Sequence, residues 1–303
     1  MLIKSKNLKD AMVQSLQQLK VHGKKSSPRE MKTRELLNVQ IEIENPKESI
    51  VYFPGRNFNL AFGVAEFLSY VGGINSVDYI SNFNKNIAQF SDNGINFYGS
   101  YGVRIAHRIP DIIKQLRDNP NTRQANLTIF TTQDMLEDTK DTPCTVSIDF
   151  KLRDDKLYMH TFMRSNDVIW GFQYDMLTFT FLQQMVAKSL KVEVGAYTHT
   201  ATSLHIYERH FDMLEKVDLY SKRGKSIEVN LDMDYEQVLE TAKQSIDFSN
   251  GHCQKNEVID NTLLSVLNLY NLKKQKITLG LFANNWATEY YKEVLNNKES
   301  DIK

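Results

Sequence analysis

The chain has 303 residues, 41% hydrophobic and 24% charged, which is enough apolar material for a sizeable core and too much for a disordered chain. Lys plus Arg and Asp plus Glu each total 37, so the balance excludes a global pull toward nucleic acid or an anionic membrane and leaves only a local basic pocket open. Two cysteines, Cys144 and Cys253, are too few for a four-thiolate metal site and suit a reducing compartment, with a single bridge still allowed.

The N-terminus, MLIKSKNLKDAMVQSLQQL, lacks the apolar run of a signal peptide, and no stretch approaches the roughly 18 apolar residues of a membrane span. A cytoplasmic location is the default expectation. Residues 7–20 carry Leu8, Ala11, Met12, Leu16 and Leu19 near one face and predict an amphipathic helix. The polar run at 23–30 breaks it, residues 35–43 alternate as a strand, and Asn45-Pro46 marks a turn. Residues 59–70 predict a largely apolar helix containing one carboxylate, Glu66, ended by Gly72-Gly73. Residues 91–105, SDNGINFYGSYGVRI, read as an ordered loop lining a pocket or as turns against a core. A helix at 109–117, a turn at 118–121 and a strand at 125–131 follow.

The clearest sheet signal is at 144–163, where CTVSIDFKL and KLYMHTFM alternate on either side of a tight RDD connection and predict a hairpin. A long buried helix is expected at 175–190 and a strand at 192–207. Beyond 208 the chain is more polar, with helical patterns at 234–247 and 260–272. No linker or internal repeat appears, so one α+β domain over 1–303 is the simplest organisation.

Cys144 follows Pro143 at a turn-to-strand junction, where a thiol can stand at the mouth of a cleft or be a small buried hydrophobe. Met163-Arg164-Ser165-Asn166-Asp167 closes the hairpin. Arg164, Arg123 and Arg29 lie in separate turns and could converge on a phosphate through their forks of N–H donors. Scattered histidines include His205 and His210, but no His-Glu-x-x-His pattern occurs and no metal is expected.

The order and spacing of PC at 143–144, MRSNDVIWGFQYD at 163–175 and SLHIYERH at 203–210 resemble the thymidylate synthase superfamily, which includes the pyrimidine nucleotide hydroxymethylases. SPRE near 29, the Glu66 helix, YG at 101–102 and DNPNTR at 118–123 support it. The resemblance covers about 25–215 and leaves 216–303 divergent. It implies a bent mixed sheet with flanking helices and a homodimer joined through sheet faces. It implies Cys144 as the nucleophile at C6 of a pyrimidine ring, with Glu66 and Tyr101 organising proton transfers through water. Arg29, Arg164, Ser165 and Asn166 match substrate contacts, with Arg123 lent across the dimer. Its usual second arginine is Gln124 here. His205 and Tyr207 match contacts to the sugar 3′-hydroxyl, and Asp167 lies where the folate sits. The implied carbon donor is 5,10-methylenetetrahydrofolate. Arg164 is further expected to lower the thiol's pKa.

The position that reads the pyrimidine edge, usually Asn in the synthases, is Asp175. A carboxylate can accept from cytosine N4 and, when protonated, donate to N3, whereas an ionised one faces uracil O4 acceptor to acceptor. This favours dCMP or CMP and resembles the cytidylate hydroxymethylases; the bland reading is that Asp175 caps a helix beginning at 176. The absence of a tryptophan-rich loop at 90–102 and the polar end NNKESDIK favour water addition, hence a hydroxymethyl product. The alternatives are a thymidylate synthase acting on dUMP and a catalytically silent dimeric nucleotide-binding protein.

Overall fold

The computed structural model describes residues 1–56, 58–252, 254, 259–275 and 286–300, with side chains to 294 in the last segment. Cys253 and the side chains of the polar end at 296–303 lie outside the described residues. In chain order the elements are β1 (Leu2–Ser5), α1 (Leu8–His22), β2 (Lys24–Ser26), β3 (Thr33–Ile43), β4 (Ile50–Tyr52), α2 (Leu60–Gly72), α3 (Val77–Ser81), α4 (Tyr101–Ile105), α5 (Ile109–Asp118), β5 (Asn126–Thr128), β6 (Thr145–Arg153), β7 (Lys156–Met163), β8 (Asn166–Asp167), α6 (Phe172–Leu190) and β9 (Glu193–Tyr207). The polar tail adds α7 (Asp212–Glu215), α8 (Val217–Arg223), β10 (Lys225–Ile227), α9 (Tyr235–Ser249), α10 (Thr262–Lys274) and α11 (Trp286–Ser300).

The long strands alternate, so every second residue turns inward: Val39, Ile41 and Ile43 from β3, Ile148 and Phe150 from β6, Tyr197 and Ala201 from β9. The main sheet runs β1-β3-β9-β7-β6-β5, with β2 added to β3 and β8 to β9. It is mixed: β3 meets β9 antiparallel from Thr33↔Tyr207 to Ile43↔Tyr197, while β7 lies parallel to β9. The β6–β7 hairpin turns on Asp154 and Asp155, both left-handed at φ 50° and 56°, the twist that a two-residue hairpin loop requires.

The expected bent sheet is corrected. The strands form an open path, neither curled nor closed: β1 and β5 stand at opposite ends of the strand order and do not pair with each other. The structure is of a single chain and gives no sheet-to-sheet interface. What stands is an α+β fold with a mixed sheet and flanking helices.

Helix α6 is buried over nearly its whole length because it runs between the sheet and α2. Gln183, buried within it, donates to the carbonyls of Leu157 (2.8 Å) and Gly195 (3.0 Å) where the β7–β9 register shifts. Helix α2 begins at Asn59, whose side chain accepts from Phe62 N–H (3.2 Å), and ends at Gly73, left-handed at φ 67°. The divergent tail backs this helix. Val238 and Ala242 of α9 are fully buried, and a Cβ added at Gly72 would stand 3.0 Å from Ala242. Among the described residues no helix is long and apolar enough to cross a membrane.

Candidate active site

Cys144 stands one residue before β6, and the hairpin brings Arg164, at the end of β7, beside it. Arg164 N–H donates to Cys144 O (2.9 Å). Its guanidinium donates to Pro143 O (2.8 Å) and Thr142 O (2.9 Å) and lies 3.7 Å from Cys144 Sγ. The turn before the nucleophile candidate is thus wrapped around one arginine, itself fixed by Thr202 Oγ1 donating to Arg164 O (2.7 Å). Burial pushes the thiol's pKa up, and Arg164 and Arg29 offset this only in part. Arg164 thus acts in the expected direction on the thiol, and burial outweighs it.

A cavity of about 180 Å³ has Glu66, Tyr101, Asp141 and Asp175 in its polar lining, and the charges of Asp175 and Asp141 reach the Cys144 thiol. Glu66 comes from the middle of α2, Tyr101 from the start of α4, and Asp175 from the first turn of α6. Tyr101 accepts from Thr145 N–H at 3.0 Å, which fixes its hydroxyl beside the start of β6. Burial, then the neighbouring Asp175, lifts the Glu66 carboxyl to about 8. Burial lifts Asp175 to about 7, against the Asn166 hydrogen bond that lowers it. Two neighbouring carboxyls lining one cavity cannot both ionise easily, so one keeps a proton near neutral pH. The capping reading of Asp175 is also corrected. Gly171 is the cap, and Asp175 N–H already bonds Gly171 O (2.9 Å) inside the helix.

Asn166, expected at the substrate, holds Asp175: its amide N donates to Asp175 Oδ2 at 2.6 Å. Its amide O is 3.2 Å from His199 Nε2, and His199 Nδ1 is 3.1 Å from Tyr197 Oη. Burial drives His199 down to about 3, so the ring is neutral; Nε2–H then donates to Asn166 and Tyr197 donates to Nδ1. Sequence reasoning missed His199 and Tyr197. Their signal was two polar-tipped rings on the buried parity of an alternating strand.

On the other side of β8, His205 is buried with Nδ1 unpartnered, and Tyr207 packs edge-on against it at 5.1 Å. Ser165 is half-buried beside Arg164. Arg29 is exposed and left-handed at φ 51°, yet close enough for its charge to act on Cys144 and Tyr207. Arg123 is exposed in the turn after α5 and joins none of these contacts. A second cavity, of about 250 Å³, is lined by Arg56, Trp170, Tyr174, His210 and Lys216. The Arg56 guanidinium is bonded there to Ile169 O through Nη2, while its buried Nη1 has no hydrogen-bond partner among the described residues. Asp167, whose Oδ1 accepts from Ile169 N–H (2.9 Å), is near enough to raise the pKa of Arg56 against its burial. Sequence reasoning passed over Arg56, whose burial is invisible in a PGRN turn.

A profile of the thymidylate synthase family matches residues 11–257. The chain belongs to the thymidylate synthase family. It is 33% identical over 239 residues to the deoxyuridylate hydroxymethyltransferase of Bacillus phage SP01, covering 73% of this chain and 61% of that protein. It is 31% identical over 227 residues to the protein of the same name from Pseudomonas phage M6, covering 71% and 63%. The putative thymidylate synthase of Methanocaldococcus jannaschii is 30% identical over 195 residues, 62% of this chain and 82% of that one. The chain thus spans about three-fifths of the length of the two phage proteins. Those proteins are named for deoxyuridylate, which departs from the cytidylate likeness expected at Asp175. Within the thymidylate synthase frame, the arrangement can add a thiol to a ring carbon, hold a proton on a buried carboxyl pair and admit water to the same cavity.

Proposed function

We propose that this protein adds a hydroxymethyl group to C5 of a pyrimidine nucleoside monophosphate, with 5,10-methylenetetrahydrofolate as carbon donor, and that the preferred base is cytosine in dCMP or CMP. The observation that carries the reading is the thiol of Cys144 at 3.7 Å from Arg164, within reach of the charges of Asp175 and Asp141, which line one cavity with Glu66. The folate would supply an electrophilic one-carbon unit. Arg56, with its orphaned donor, and Lys216 fit a carboxylate tail, Trp170 and Tyr174 fit flat rings, and the charge of Asp167 acts on Arg56 from nearby.

In this reading Cys144 adds to C6 as a thiolate, which makes C5 nucleophilic. Arg164, Arg29 and Ser165 hold the phosphate, and Arg164 also steadies the thiolate as it forms. His205 and Tyr207 hold the sugar hydroxyl. Glu66, with Tyr101 and water, takes up the proton leaving C5. Arg123 is exposed and away from these groups, so its phosphate contact would come from a second copy of the chain.

The base preference rests on Asp175. Its Oδ2 is engaged by Asn166, leaving Oδ1 for the ring edge. A protonated carboxyl satisfies either base. An ionised one accepts from cytosine N4 but repels uracil O4. The uracil reading is favoured by the names of the phage relatives. With dCMP, CMP and dUMP as substrates, product mass and folate oxidation state decide. The expected product is dCMP or CMP heavier by one formaldehyde unit, with tetrahydrofolate released. Use of dUMP should fall as pH rises through about 7, where Asp175 ionises. Asp175→Asn should shift the dUMP-to-dCMP ratio toward dUMP by roughly tenfold or more. A 5-methyl product with dihydrofolate would overturn the hydroxymethyl reading, and turnover indifferent to Cys144→Ala would overturn the nucleophile.

A further inference from the structure

Hydroxymethylation differs from methylation in one step: water must add to the carbon just delivered to C5. A neutral water is a poor nucleophile, so this step calls for a base facing the cavity. Of the carboxyls there, two are already committed. Glu66 takes up the proton leaving C5 in the reading above, and so already carries it when water adds. Asp175 is tethered by Asn166 toward the ring edge.

The third is Asp141, three residues before Cys144 and so at most ~11 Å from it along the Cα trace. The only hydrogen bond to its carboxylate among the described residues is Gly99 N–H to Oδ2, at 2.8 Å, which leaves Oδ1 for the cavity it lines. The approach depends on Gly99 having no side chain, since a Cβ there would stand 2.0 Å from Asp141 O. The loop needs no help from the carboxylate to hold its shape. Asp92 accepts from Lys140 N–H (3.0 Å) and from the Thr139 hydroxyl, Thr139 Oγ1 accepts from Asp141 N–H (3.1 Å), and Arg164 holds Thr142 and Pro143 from the far side. The segment is pinned at both ends, and the Asp141 side chain is presented to the space between.

We propose that Asp141 is the base that deprotonates the water adding to the C5 methylene. The inference rests on the hydroxymethyl reading above. In this step the water oxygen bonds to the exocyclic carbon and one water proton passes to Asp141. The electron pair of the exocyclic double bond moves into the ring. That pair then re-forms the C5–C6 double bond, and the C6–S bond breaks with its electrons returning to Cys144 as thiolate. Asp141 afterwards gives its proton to solvent, so no oxidant or reductant is needed and the folate leaves unoxidised. Burial lifts the Asp141 carboxyl to about 6, partly offset by the Gly99 N–H, which leaves it ionised yet a competent acceptor near neutral pH.

The test separates water addition from the earlier steps. With C5-tritiated dCMP and dUMP in single turnover, tritium release reports thiol addition and loss of the C5 proton, while hydroxymethyl product reports water addition. Asp141→Asn keeps an acceptor for Gly99 N–H. It should release tritium within about threefold of wild type while product falls on the order of 10²-fold, with nucleotide accumulating as an adduct in the intact-protein mass. Added azide, which needs no deprotonation, should restore turnover as a 5-azidomethyl product. Tritium release and product falling together, or product unchanged, would overturn the proposal. If Asp141→Asn does not fold, Asp141→Ala with added formate replaces it: recovery of product by tenfold or more supports the role, and no recovery rejects it. If wild type itself yields no hydroxymethyl product from either nucleotide, the parent reading has failed instead.

Discussion

Asp134 and Asp175 are both aspartates removed from water, and their surroundings push them in opposite directions. Asp134 is 3% exposed, and burial alone would raise its pKa. Instead both its oxygens accept from Arg104 at 2.8 Å and one from Thr131 N–H at 2.6 Å, which holds it at about 2. Arg104 also ties Ile129 O (2.8 Å) and Tyr98 O (3.1 Å), so this pair clamps the loop ahead of Gly99. Asp175 has one amide donor and a neighbouring carboxyl, and rises to about 7. A structural charge is surrounded by partners, while the cavity carboxyls are left short of them. That shortage costs stability and keeps a proton available to a bound ring.

The largest test of this contrast is Glu66→Gln. Turnover should fall by on the order of 10³-fold, because the proton acceptor is gone. Its melting temperature should stay level or rise, since a neutral amide replaces a poorly paired buried carboxyl; a clear loss of stability would erase the distinction. Asp134→Ala should do the reverse to the fold. Leaving Arg104 half-buried without its partner should cost about 3 kcal/mol in urea unfolding.

A smaller effect is the pH dependence of stability, with opposite signs for the two groups. The Asp134 pKa is depressed, so its contribution is present above the unfolded carboxyl value near 4 and is lost as pH falls through about 2. Glu66 and Asp175 are raised, so their contribution is full below about 4 and is lost as pH rises through about 7 to 8. Calorimetric melting should therefore show stability falling on the alkaline side of pH 4 by about 1.4 kcal/mol per pH unit for each of the two groups, levelling off above about 8. Glu66→Gln should flatten that slope and leave the acid limb intact. An unchanged alkaline slope would mean that the two carboxyls are solvated after all.

Local signals carried most of the element map, because alternation and capping act within a few residues. The 144–163 hairpin, the Glu66 helix and the long α6 follow from period, turn chemistry and apolar runs that any window of the chain displays. Gly171 as cap, and so Asp175 inside the helix, was missed because a Gly and an Asp four residues apart both suit a helix start.

The motif order at 143–144, 163–175 and 203–210 determined the family by itself, since it records which residue types recur and where. What no reading of the chain could reach is the sign of each charge's environment. The thiol of Cys144 is raised although an arginine touches it, Asn166 faces Asp175, and His199 is neutral behind both. Those outcomes depend on desolvation by residues distant in sequence and on strands such as β8 and β9 meeting in register. Burial and pairing are sums over neighbours that only the folded chain brings together.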